Sequence, residues 1–230
     1  MNTLKILLTA TTAVFAALGG GCAHPHSIAD GARLGPFFAP GNFSGDPHLG
    51  ILRRVVVMPV WAGAPGTAPE AVAALDEVVL AALQRQNRFE VVTFTRDECR
   101  RRYLADALAS SGALPADLLE TLRREHAADA VLFVDATVYQ AYKPLALGLR
   151  AKLAAIDGSR LLWTFDQVFA ADDPAVANAA RRHFIGRDRS VPADLTGVAL
   201  LSPSKFAAYA TTAMFATLPP VMPQRVAAGQ

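Results

Sequence analysis

After Arg54, Val55-Val56-Val57-Met58 is an unbroken apolar run, mostly β-branched and closed by Pro59-Val60. A strand without polar alternation has no face to offer to water, so it must be covered by packed layers on both sides of its sheet. That requirement makes it a central strand of a layered domain. The residues that follow supply the layers. After a Gly/Pro-rich loop, Pro69 opens a helix in which Val72, Leu75, Val79, Leu80 and Leu83 recur at three- and four-residue spacing and form one apolar stripe. Phe89 to Phe94 reads as a second strand. Arg96 to Leu108 forms a helix before the break at Ser110-Ser111-Gly112, and a third helix from about Pro115 to His126 buries Leu118, Leu119 and Leu122. Ala130 to Val134 is another buried strand, extended through Tyr139. Strand, helix, strand, helices, strand is the order that yields right-handed crossovers in an α/β domain.

Beyond Tyr139 the period changes to two. Leu145, Leu147, Leu149, Ala151 and Leu153 alternate with Gly148, Arg150 and Lys152, which predicts a half-buried strand antiparallel to Leu161 to Phe169, with the turn at Ile156-Asp157-Gly158-Ser159. A two-residue Asp-Gly turn places Trp163 opposite Lys152 and Phe165 opposite Arg150; a three-residue loop places them opposite Leu153 and Ala151. Burying Trp and Phe contributes several kcal/mol at ~25 cal/mol per Å², which favours the three-residue loop. The alternative register leaves a basic–aromatic ladder as an exposed partner surface. Pro174 to His183 reads as an Ala-rich helix and Gly186 to Gly197 as a polar loop. Ser202 caps a last helix that starts at Pro203, carries Phe206, Tyr209, Ala210, Ala213 and Met214, and stops at Pro219-Pro220. The expected fold class is therefore α/β: a single layered domain over residues 52–219, with a mixed sheet of about five strands and packing helices. Its order is strand-helix-strand-helix-helix-strand-strand-strand-helix, and a disordered tail follows over 220–230.

The chain begins differently. Lys5 precedes roughly 16 uncharged residues that end in Leu18-Gly19-Gly20-Gly21-Cys22, a short export signal closed by small residues before a cysteine. The pattern resembles the lipobox of bacterial lipoproteins, with Leu18 four residues before the cysteine where the usual form has leucine three before it. The resemblance implies cleavage after residue 21 and acylation of Cys22. Ala23, in place of the aspartate of inner-membrane retention signals, implies sorting to the outer membrane, facing the periplasm. An uncleaved anchor, which needs ~20 apolar residues, and an ordinary secretory cleavage nearby are the competing readings. Residues 22–51 read as a flexible tether, since five glycines or prolines fall between Gly31 and Gly41. Such a segment of ~28 residues has a root-mean-square reach of about 30 Å. Phe37, Phe38 and Phe43 are unusual in a solvated linker and imply that part of it packs on the domain or on a partner.

Several elements together resemble a known group. Val55-Val56-Val57-Met58-Pro59, Leu83 through Arg88-Phe89-Glu90-Val91-Val92, Ala127-Ala128-Asp129-Ala130-Val131-Leu132, and Asp157-Gly158 leading to Leu162-Trp163 occur in an order similar to the lipoprotein superfamily that includes the curli-secretion lipoprotein, penicillin-binding-protein activators and the amino-terminal domain of the Tol translocation protein. The resemblance spans about Arg53 to Phe169 and implies a small α/β domain that acts by contact in the cell envelope. Asp135 stands where such sequences often carry glycine.

A search for chemistry finds little. A formal charge of +2, or +1 once Lys5 is removed, lacks the concentrated basic surface that a nucleic-acid partner requires. Arg96, Arg100, Arg101 and Arg102, interrupted by Asp97 and Glu98, read as a solvated helix face. Only Cys99 remains once Cys22 is acylated, so no disulfide framework exists, and Cys99 reads as a small buried hydrophobe. Ser202-Pro203-Ser204-Lys205 matches the Ser-x-x-Lys pattern of penicillin-recognising enzymes, but helix capping also explains Ser202 and Pro203. His24, His26 and His48 could in principle meet around a metal, but they lie in the flexible segment, and neither an HExxH pattern nor a cysteine pair supports them. His126 and His183 read as surface or capping residues. Asp129 and Asp135 flank a strand, Asp172-Asp173 precede a helix, and no spacing brings them together for acid–base work. No cofactor, metal or catalytic residue is expected. The functional expectation is a lipid-anchored interaction module whose partner is another envelope protein, bound to the membrane through its anchor. An auxiliary lipoprotein of an envelope transport or secretion system is the alternative within that class, and a serine hydrolase using Ser202 and Lys205 is the alternative outside it.

Overall fold

Val55, Val56 and Val57 are sealed from solvent on alternate faces of one strand, because helices cover both sides of the sheet there. The computed structural model describes residues 33–47, 52–185, 197–198 and 200–220. In chain order the elements are β1 (Phe43–Gly45), β2 (Arg54–Val57), β3 (Trp61–Ala62), α1 (Pro69–Gln84), β4 (Glu90–Thr93), α2 (Arg96–Tyr103), α3 (Leu118–His126), β5 (Ala130–Gln140), β6 (Ala146–Ala155), β7 (Leu161–Ala170), α4 (Pro174–Ile185) and α5 (Pro203–Phe215). The fold is α/β, with a mixed seven-stranded sheet in the order β1-β7-β6-β5-β2-β4 and β3 pairing on β5.

β2 runs parallel to both neighbours, with Val55 opposite Val91 of β4 and Ala130 of β5. It is interior, as its composition requires, although β5 lies nearer the middle of the sheet. Val55, Val57, Leu132 and Val134 join α1, α4 and α5 in one core; Val56, Met58, Val131 and Phe133 meet α2 and α3 on the opposite face. The expected strand through Val60 is interrupted. Pro59 has no N–H to give to the ladder, and the Val60 amide turns aside to donate to Asp76 Oδ1 at 2.9 Å before the chain rejoins β5 as β3.

The helices differ from expectation at their ends. In α1 it is Ala82, with Val72, Leu75, Val79 and Leu83, that is buried, while Leu80 is half-exposed. α2 stops at Tyr103 instead of Leu108, because Leu104 adopts a left-handed conformation (φ 55°) and sends the chain toward β5, where Ser110 is held. α3 begins at Leu118 and buries Thr121 rather than Leu119. α5 ends at Phe215, short of the prolines.

β5, β6 and β7 form an antiparallel meander. Trp163 lies opposite Leu153 and Phe165 opposite Ala151, the register that burial of the rings favoured. The route to it differs. Ala155 pairs with Arg160 across a longer loop in which Gly158 takes a φ of +71°, and a register shift between Leu153 and Ala154 restores the alignment. A second shift, between Ala136 and Val138, brings β5 so close to Gly148 that a Cβ there would lie 2.5 Å from Thr137 Oγ1.

Residues 33–47, within the segment read as tether, lie against the domain. Phe43, Ser44 and Gly45 pair antiparallel with Phe165, Thr164 and Trp163, and Phe38 packs edge-on to Phe169 with ring centres 5.4 Å apart. Arg182 sits over the Phe37 ring at 4.4 Å. Phe37 and Phe38 thus serve the domain itself, whereas Phe43 joins it through its backbone and leaves its side chain exposed. The expected loop at Gly186 to Gly197 falls almost wholly outside the described residues, as does the tail beyond Pro220.

Candidate functional site

The polar side chains that sequence reasoning considered for chemistry are placed at junctions of the fold. Asp135 is inside β5 rather than at its end, and it is fully buried. Its carboxylate accepts from the Ser110 amide at 2.9 Å and from the Ser110 hydroxyl at 2.6 Å, while Lys152 Nζ donates to the Ser110 carbonyl at 2.8 Å. Ser110 is thereby pinned from both sides, and the loop between α2 and α3 is fixed to the sheet. Asp129 Oδ2 accepts from the Arg53 and Arg54 amides at 2.7 and 3.0 Å, closing the start of β2. Asp173 Oδ1 accepts from the Ala175 amide at 2.7 Å, where α4 begins.

Arg96 corrects the reading of the arginine cluster as one solvated face. Its guanidinium is half-buried and meets Asp76 at two points, 2.6 and 2.9 Å, while Nη2 also donates to the Val60 carbonyl at 2.8 Å. The remaining members are exposed: Arg100 pairs with Asp97 and Asp106, and Arg102 with Glu125 at 2.6 Å. Asp76 was missed in the sequence. Its only signal is a carboxylate set between Leu75 and Val79 in an apolar helix face.

Asp76 and Arg96 stand in a crevice of about 360 Å³ at the carboxyl ends of β2 and β4, walled by Met58, Pro59, Leu80 and Phe94. The helix after β2 goes to one face of the sheet and the helix after β4 to the other, the arrangement that opens a crevice in parallel sheets. Its central charges neutralise each other, and what they hold together is the turn at Pro59.

Ser202 Oγ accepts from the Lys205 amide at 3.4 Å and lies 3.1 Å from Ser204 Oγ, whereas Lys205 Nζ sits 6.0 Å from the centre of the Phe184 ring. Serine and lysine side chains of the Ser-x-x-Lys pattern thus contact different groups. The His126 ring packs on Phe94, and His183 packs between Phe184 and Tyr209, which makes it a packed rather than a surface residue. Arg150 and Lys152 stand opposite Asp166 and Thr164, and Arg150 pairs with Asp166 at 2.8 Å, so the basic–aromatic ladder does not form. Cys22, His24, His26 and His48 lie outside the described residues. Among the described residues no group of three or more His, Cys, Asp or Glu side chains is placed to hold a metal, and no helix is long and apolar enough to cross a membrane.

Cys99 is fully buried on the inward face of α2, and desolvation pushes the pKa of its thiol above the usual value. Native protein treated with iodoacetamide at pH 8 is expected to leave Cys99 unmodified for hours, with complete labelling in urea; mass spectrometry of the alkylated peptide reads the difference.

No protein-family model matches the chain, and no curated protein does. Solved structures to which it is similar include the PelC dodecamer from Paraburkholderia phytofirmans, with 13% identity, 73% of this chain and 93% of that chain covered, and a TM-score of 0.40. Lipoprotein GNA1162 from Neisseria meningitidis shares 17% identity over 51% of this chain and 79% of that chain, with a TM-score of 0.36. The C-terminal domain of LpoB from Escherichia coli shares 17% identity over 52% and 84%, with a TM-score of 0.36.

Proposed function

We propose that this chain is a lipid-anchored interaction module of a bacterial cell envelope, attached through Cys22 to the outer membrane, facing the periplasm and acting by docking on another envelope protein. The observation that carries the reading is the use to which its reactive side chains are put. Asp135 holds Ser110, Asp129 holds the start of β2, Arg96 holds Asp76, and Ser202 caps α5. Each of these groups stabilises a junction, and activity then resides in surface contact rather than turnover. The export pattern before Cys22 supports the location. The auxiliary lipoprotein of a transport or secretion system is a special case of the same reading.

The packing of residues 33–47 adjusts the role of the anchor. Ten residues lie between Cys22 and Arg33, and at 3.3–3.6 Å per residue the chain from one to the other spans at most about 40 Å. Docking therefore takes place close to the membrane.

Radiolabelled palmitate is expected to enter the wild type in growing cells and to be absent from Cys22→Ser; equal labelling of the two would remove the anchor from the proposal. Photo-crosslinking in intact cells, followed by mass spectrometry, is expected to capture one envelope protein in stoichiometric yield. Capture of none, together with labelling of Ser202 by an acylating penicillin probe, would replace docking with turnover.

A further inference from the structure

A cavity of about 600 Å³ lies apart from the crevice and from the polar junctions, between the loop that leads into β6, the end of β7 and the residues Gly197, Val198, Leu200 and Leu201. This volume is in the range of small-molecule sites, and its walls are mainly apolar, with Leu145, Val198, Leu200 and Leu201 among them. Two cations stand in the same wall, Lys143 and Arg181. Among the described residues neither has a carboxylate within ion-pair distance.

Arg181 is the informative one. Its Nη1 reaches Asn178 Oδ1 at 3.3 Å, but its Nε is buried with no hydrogen-bond partner. Asn178 is itself held, donating to the Pro36 carbonyl at 3.3 Å, so the neutral amide is fixed and supplies only a weak acceptor. Taking a guanidinium out of water without a counter-ion is unfavourable, and that desolvation holds the Arg181 pKa below its ordinary value. Arg96, buried to a similar depth, shows how this chain treats an arginine that serves only the fold: it receives both oxygens of Asp76. Among the described residues Arg181 has no such partner, and it lines the cavity.

We propose that this cavity binds a small amphiphile whose anionic head, a carboxylate or a phosphate, pairs with Arg181 and Lys143 while its apolar body fills the space beside Leu145, Val198, Leu200 and Leu201. The guanidinium fork matches either head group in a two-point contact, and Lys143 adds a second positive charge. The site is independent of the docking reading, since it requires neither the anchor nor a protein partner.

Isothermal titration of the full-length chain with four eight-carbon probes tests it: octanoate, octyl phosphate, octanol and octylammonium. The two anions are expected to bind at least tenfold more tightly than octanol, with octylammonium weakest, and the tighter anion identifies the natural head group. Arg181→Gln is expected to weaken anion binding tenfold or more without changing octanol binding. Leu201→Asp, at a position 52% exposed and so free of folding cost, should weaken anion binding comparably by placing a negative charge beside the head group. Equal affinity for octanol and octanoate, absence of binding by every probe at millimolar concentration, or anion affinity unchanged in both variants would each overturn the assignment. If Arg181→Gln fails to fold, Leu201→Asp alone decides.

Discussion

Trp163→Ala is expected to lower the stability of the domain by about 3–5 kcal/mol in urea unfolding followed by circular dichroism, the cost of emptying a large aromatic site in a packed core. Trp163 is 1% exposed and joins three parts of the chain at once. It pairs with Leu153 of β6 and Gly45 of β1, its ring lies 6.0 Å from Phe165 and 6.1 Å from Phe215, and its Nε1 donates to Thr217 Oγ1 at 3.2 Å. Alanine removes the ring and leaves the threonine without its donor. Small domains have only about 5–15 kcal/mol in total, so the variant should lose a large share of its stability and melt well below the wild type. Leu161→Ala, on the same strand but half-exposed, is the control and should fall within about 0.5 kcal/mol of wild type. A cost below about 1 kcal/mol for Trp163→Ala would contradict the register of β6 and β7.

Removing residues 33–47 and removing residues 23–32 are expected to have opposite consequences. The first deletion takes away β1, the Phe38–Phe169 contact, the Arg182–Phe37 contact and the Arg160–Asp46 ion pair of 3.2 Å. Burial of one Phe contributes ~2–3 kcal/mol and the exposed pairs little, so the loss is about 3 kcal/mol. The second deletion touches none of these contacts. It should leave the melting temperature unchanged and reduce in-cell crosslinking to the partner, because the domain can no longer reach it. Limited proteolysis supplies a direct check: the resistant core should begin before Phe38. A core that begins at Leu52 and keeps full stability would show that β1 contributes nothing.

Much of this architecture was legible because period and burial agree. Five of the seven strands announce themselves, the parallel ones by unbroken apolar runs and the hairpin by alternation, and the hairpin register follows from the area of two aromatic rings. What escaped was whatever depends on a partner distant in sequence. β1 and β3 are too short to carry a period, and they exist because β7 and β5 offer open edges. Asp135 reads as the end of a strand because an isolated carboxylate is a poor strand residue; Ser110, from a loop 25 residues earlier, makes its burial tolerable. The Arg181 cavity gathers residues from 143 to 201, none of which forms a motif. Ser202 and Lys205 illustrate the converse, a match to a pattern in which the serine caps a helix and the lysine lies over the Phe184 ring.

The split of the sheet into parallel and antiparallel halves sets an order of assembly. β5, β6 and β7 are joined by short connections and can zip together while the chain is still searching, but β2 must close a loop to Val91 and then a much longer one to Ala130. Until residue 130 has arrived, one hydrogen-bonding edge of the most apolar strand in the chain stays open, with Val55, Val56 and Val57 uncovered. A nascent chain emerges with β2 first and its second sheet partner more than seventy residues later. During that interval the open edge of β2 is available to a wrong strand, and a chaperone that shields residues 54–60 would cover it until β5 arrives.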